Sequence, residues 1–171
     1  GLSANTILPV LARELLHSGS GGFSALLACT GLGAILGALG AAARSTSQNA
    51  PRATALGLVA QGAGLLALGL SRNLVLSAAW MVLVGGAVAL QLSSINSYLQ
   101  TTAPPHLRGR VISIYVWLFA GLAPLGGFLM GWATEHASAA WTTLGAGAIC
   151  LLSGLTFASL PLKIPRPDRR R

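Results

Sequence analysis

Where charge is missing from this sequence sets what it can fold into. From Phe23 to Ala43 there is no charged residue, and the same holds for Ala53 to Leu70, Leu74 to Leu99, Val111 to Ala133 and Trp141 to Leu160. These runs are about 18 to 26 residues long, and a helix needs about 20 apolar residues to cross the hydrocarbon of a bilayer. In lipid, every backbone N–H and C=O must be paired within its own segment or in a closed barrel. Barrel strands would be about 10 residues long with period-2 alternation, and the runs show neither. Helices are therefore expected.

A sixth, shorter apolar segment comes first and carries Asn5, Pro9, Arg13 and Glu14. Its shortness leads to the expectation that the chain begins part-way through a longer polypeptide. The expected architecture is an all-α membrane protein with six transmembrane helices. They span about residues 1–16, 23–43, 53–70, 74–99, 111–133 and 141–160, and a basic tail follows over 161–171.

Composition agrees with a membrane class. Of 171 residues, 53% are hydrophobic and 8% charged, against roughly a quarter charged in a soluble domain. The net charge is +8, but the basic residues fall between the apolar runs and form no amphipathic face, which argues against nucleic acid as a partner. Cys29 and Cys150 lie far apart inside apolar runs, as packing residues rather than a disulfide or metal site. No metal site or cofactor is expected.

The gaps also carry an orientation. Arg44, Arg52, Arg108, Arg110, Lys163, Arg166, Arg169, Arg170 and Arg171 fall on one side if the segments alternate, and Arg13 and Arg72 on the other. Nine against two is the positive-inside asymmetry, so both ends of the segment are expected in the cytoplasm.

Several residues could carry function. Gly33, Gly37 and Gly40 share one face of the second segment and suit close helix packing. The fifth segment holds "GLAPLGGFLMG", in which Pro124 removes a backbone donor and Gly121, Gly126, Gly127 and Gly131 allow close approach. A hinge, an interface or a merely tolerated proline all fit. In the fourth segment, "QLSSINSYLQ" places Gln91, Ser94 and Tyr98 on one face, with Asn96 and Gln100 on an adjoining one. Polar side chains in a membrane helix point at a partner or a water-filled cavity, so substrate lining and interhelical hydrogen bonding are both open. Asn5 and Gln61 share that ambiguity. In the loop before the fifth segment, Arg108, Gly109 and Arg110 follow Pro104 and Pro105, which end a helix. The arginines there anchor topology, or also hold helix ends. No nucleophile–base pair, metal cluster or phosphate loop is present, so an enzyme is not expected.

Two stretches resemble the major facilitator superfamily of transporters, in its enterobactin-exporter-like, multidrug-efflux-like branch. "ILPVLARELLHSGSGGFSALLACTGLGAILGAL" resembles that branch's seventh and eighth helices, and "INSYLQTTAPPHLRGRVISIYVWLFAGLAPLGGFLMGW" its tenth and eleventh. Asn96 and Gln100, Pro105 with Arg108-Gly109-Arg110, and Gly121, Pro124, Gly126 and Gly127 carry the second likeness. The loop "RSTSQNAPR" is a degenerate form of the family's acid-bearing loop and has no acid.

The resemblance implies the C-terminal six-helix half of a twelve-helix carrier in the inner membrane. It implies that Asn5, Gln91, Ser94, Asn96 and Tyr98 line a central cavity. It also implies that the glycine faces of the second and fifth segments meet the other half, which is either the N-terminal half of the same polypeptide or a second copy. The implied function is export of a small molecule, such as a drug or siderophore, by alternating access. The competing class is a truncated or scaffolding membrane module that transports nothing.

Overall fold

The computed structural model describes residues 20–44 and 49–159. These form five helices: α1 (Ser20–Arg44), α2 (Ala50–Leu70), α3 (Leu74–Thr102), α4 (Arg108–His136) and α5 (Ala139–Ser159). All five are long and apolar enough to cross a membrane. The expected first span at about 1–16, with Asn5, Arg13 and Glu14, and the tail at 161–171 lie outside the described residues, as do loop positions 45–48.

Local chemistry sets the helix ends. Pro51 stands in the first turn of α2, where its missing N–H is no loss and its fixed φ suits a helix. Asn73 caps α3, its Oδ1 accepting from the Val75 N–H at 2.9 Å. The α2–α3 link is only Ser71–Asn73, so the two helices return on each other as a hairpin.

The helices overrun the apolar segments at most of their ends, and three of these overruns lie around α3 and α4. α3 continues to Thr102 rather than stopping at Leu99, α4 starts at Arg108 rather than Val111, and it ends at His136 rather than Ala133. The apolar run measures the part of a helix that lies in hydrocarbon. Polar residues prolong the helix beyond it when they satisfy its end. Thr101 Oγ1 donates to the Ser97 carbonyl at 2.8 Å, and His136 Nδ1 lies 2.9 Å from the Trp132 carbonyl. The expected loop "TEHASAA" thereby shrinks to Ala137 and Ser138.

Packing does not follow chain order. α1 lies against α3, α3 against α2, and α2 against α5, while α4 touches α3 and α5 only sparsely. Two of these contacts are glycine seams. A Cβ built at Gly33 would meet the Val82 carbonyl, one at Gly37 the Gly86 carbonyl, and one at Gly85 the Thr30 carbonyl. Along the α2–α5 contact, a Cβ at Gly62 would lie 2.5 Å from the Leu151 nitrogen and one at Gly154 2.8 Å from the Val59 nitrogen. Lipid is as apolar as leucine, so membrane helices associate by close packing, and small residues permit it. The buried side-chain core is correspondingly small: Leu26, Leu65, Leu68, Met81, Val84 and Ala139.

Candidate functional site on the polar half of the third helix

The polar stretch of α3 divides in the structure. Gln91 turns toward α2, where its Nε2 donates to Gln61 Oε1 at 2.8 Å. Its stem lies over Gly57, where a Cβ would come 2.5 Å from Gln91 Cγ. Gln61 is buried, and its own Nε2 has no hydrogen-bond partner among the described residues. An amide–amide bond between helices suits a medium without water, where either group alone would be costly.

Ser94, one turn further on, is 1% exposed. It stands on the wall of a cavity of about 230 Å³ between α1, α2 and α3, with Ala41, Arg52, Leu56 and Leu90 among its neighbours. Asn96 points the other way and is exposed, accepting from Gln100 Nε2 at 2.9 Å along its own helix. Tyr98 is half-buried. The structure thus brings Gln91 together with Gln61 and Ser94 together with Arg52, while Asn96 and Gln100 form a separate outward pair. Asn5 lies outside the described residues.

Hydroxyls elsewhere in the spans are satisfied locally. Thr30, Thr54, Thr143 and Ser153 each donate to the carbonyl four residues back, at 2.7 to 2.9 Å. Their protons are thereby engaged, leaving only acceptor lone pairs for a ligand.

α4 differs from the other helices. None of its residues is buried. Trp117, Leu122, Leu125, Phe128 and Leu129 are all more than half exposed. Gly121 and Gly131 have nothing within 4 Å of a built Cβ, whereas Gly33 and Gly37 are closed by α3. Gly40, Gly126 and Gly127 are half-buried, and Pro124 is exposed. The helix runs on through Pro124 for about three further turns. Arg108 and Arg110 stand in its first turn with Gly109 between them, exposed and without an ion pair to any described residue. The helix start gives them no attractive field, because the dipole there is positive.

The pair Gln61–Gln91 and the cavity at Arg52 are the features that sequence alone did not bring together. A lone glutamine in each of two neighbouring apolar runs was the available signal, but its meaning depends on which helices touch. No group of His, Cys, Asp and Glu that could hold a metal ion occurs among the described residues.

Comparison with known proteins fits this geometry. The family described as "Transmembrane secretion effector" matches residues 1–169. The multidrug efflux pump Tap of Mycolicibacterium fortuitum is 29% identical over 136 residues, covering 80% of this chain and 33% of the pump. The chain therefore spans about a third of the length of that curated relative. No solved structure matches it. Across nearly its whole length, this multi-pass helical chain belongs to the transmembrane secretion effector family of major facilitator superfamily transporters.

Proposed function

We propose that the chain is one half of an exporter that moves a small amphipathic molecule across the membrane by alternating access. One observation carries this reading. α4 is an unburied membrane-length helix, with glycines open to approach, beside the polar half of α3. A second set of helices laid on α4 would enclose that polar half, leaving Asn96 and Tyr98 on the enclosed wall toward the Thr102 end of α3. A carrier of this class needs two such halves around a shared site. The seam at Gly33 and Gly37 is already closed by α3, so on this reading that glycine face serves the half's own packing, and α4 offers the other half an open one. The family and the name of the efflux pump it resembles support the same direction of transport. On this reading the charge asymmetry puts the Arg52 and Arg108 loops in the cytoplasm, in an inner membrane.

The test is uptake of amphipathic fluorescent compounds into inverted membrane vesicles carrying the full-length protein. Gradient-driven accumulation is expected, and Asn96→Ala and Tyr98→Ala should reduce it without loss of protein from the membrane. Folded, inserted protein that accumulates no compound would refute the assignment.

A further inference from the structure

Beside the α2–α3 turn lies a shallow, open cleft of about 500 Å³ whose lining changes chemistry from the turn toward the helices. Ser71, Arg72 and Asn73 form the rim, and Leu70, Leu76 and Trp80 the floor. The rim is stapled from within. Ser71 Oγ donates to the Asn73 carbonyl at 3.3 Å, Ser77 Oγ donates to Ser71 Oγ at 3.1 Å, and Asn73 Oδ1 accepts from Val75 N–H at 2.9 Å. Arg72 takes no part in these bonds. It is exposed and has no ion pair with a described residue, Glu135 being the acid among them. The floor is open as well: Leu70 is 73% exposed and Leu76 52%.

A fixed turn carries a guanidinium without an ion pair to any described residue, beside apolar side chains on two membrane-length helices. That order, charge over grease, matches a phospholipid. A guanidinium suits a phosphate, because its planar fork donates two parallel bonds. Tryptophan at this depth belongs to the interfacial belt, where one edge is wet and the rest apolar. A free phosphate would use only the rim and leave the exposed leucines uncovered, so the floor selects a lipid.

We propose that this cleft binds an anionic phospholipid. The Arg72 guanidinium and the Asn73 carboxamide N–H groups hold its phosphate, and an acyl chain runs along Leu70, Leu76 and Trp80.

Native mass spectrometry of the full-length protein, taken from nanodiscs of mixed phosphatidylglycerol and phosphatidylcholine, tests this. Wild type should retain phosphatidylglycerol in preference to phosphatidylcholine. Arg72→Gln should weaken that preference about fivefold, the worth of one arginine near an anionic surface. Arg72→Lys should keep part of it, and Leu76→Ser should lower retention of both lipids. Glycerol phosphate added in excess should displace nothing. Equal retention of the two lipids by wild type, or an Arg72→Gln protein that behaves as wild type, would overturn the proposal. Displacement by glycerol phosphate would make this a free-anion site and overturn it too. In a Cys29→Ser, Cys150→Ser background, Arg72→Cys should react with a membrane-impermeant maleimide. Protection from that reagent in delipidated, detergent-solubilised protein would mean that another part of the protein covers the cleft, which also sinks the lipid assignment.

Discussion

Gly31 and Gly33 lie two residues apart on α1, yet the same substitution should act on them in opposite senses. A Cβ at Gly33 would fall on the Val82 backbone, which cannot rotate away, whereas a Cβ at Gly31 has nothing within 4 Å. Gly33→Ala should therefore destabilise the protein by about 2 kcal/mol, the scale of an overpacked contact. Gly31→Ala should be neutral or stabilise by up to about 1 kcal/mol through helix propensity. Thermal unfolding of the two variants in detergent checks both, and equal shifts would show that the α1–α3 seam does not depend on glycine. The spacing of Gly33 and Gly37 was legible as a packing face. Its partner was not, because a small-residue face states how near a neighbour comes and not which neighbour it is. That α3 supplies Val82 and Gly86, and answers with its own Gly85 against Thr30, emerges only once the helices are placed.

Between α2 and α3, the hydrogen bond from Gln91 to Gln61 makes the contact sensitive to removal of one partner more than of both. Gln91→Leu leaves the whole Gln61 carboxamide buried and unpaired, a penalty of about 1–3 kcal/mol. Adding Gln61→Leu should recover much of it, with a coupling of about 0.6 kcal/mol for the bond itself. A double-mutant cycle in a denaturant titration measures this, and additive losses would mean that the pair is not coupled. Helix existence and order were readable from the charge-free runs, since lipid demands paired backbones. Helix lengths were not, because residues such as Thr101 and His136 prolong a helix outside hydrocarbon through hydrogen bonds that hydropathy does not register. The five-residue link from α3 to α4 holds a similar lesson. Arg108 and Arg110 look like loop residues in the sequence, yet they open α4, at a helix end whose field repels them. Their place is better explained by the membrane boundary than by α4 itself. Arg108→Ala in the full-length protein should lower vesicle transport more than it lowers insertion. Equal losses of insertion and transport would reduce its role to a topology anchor.

At the scale of the whole molecule, α1, α3, α2 and α5 form a continuous series of contacts, and α4 stands beside it with no buried residue. Beyond the chain's own residues outside the described range, two environments could cover α4: lipid, or the other half of a carrier. A bulky side chain distinguishes them, since fluid lipid yields to added volume and a packed helix interface does not. Gly121 on α4 and Gly145 on α5 are matched sites, both exposed and both with nothing within 4 Å of a built Cβ. If the other half lies on α4, Gly121→Leu overpacks that interface at a cost of about 1–3 kcal/mol. A cost of that size, falling on one of the two states a carrier alternates between, should slow transport by about tenfold. Gly145→Leu, facing lipid, should leave transport at the wild-type rate. Insertion should be normal for both variants, because neither leucine meets a described residue. The comparison is read as initial rates in the same inverted vesicles, normalised to inserted protein. If both variants transport like wild type, α4 faces lipid and the polar half of α3 has no wall opposite it. If both fail alike, the defect is general to added bulk and the matched design assigns nothing special to α4. Loss at Gly121 with retention at Gly145 is the outcome that a two-halved carrier requires.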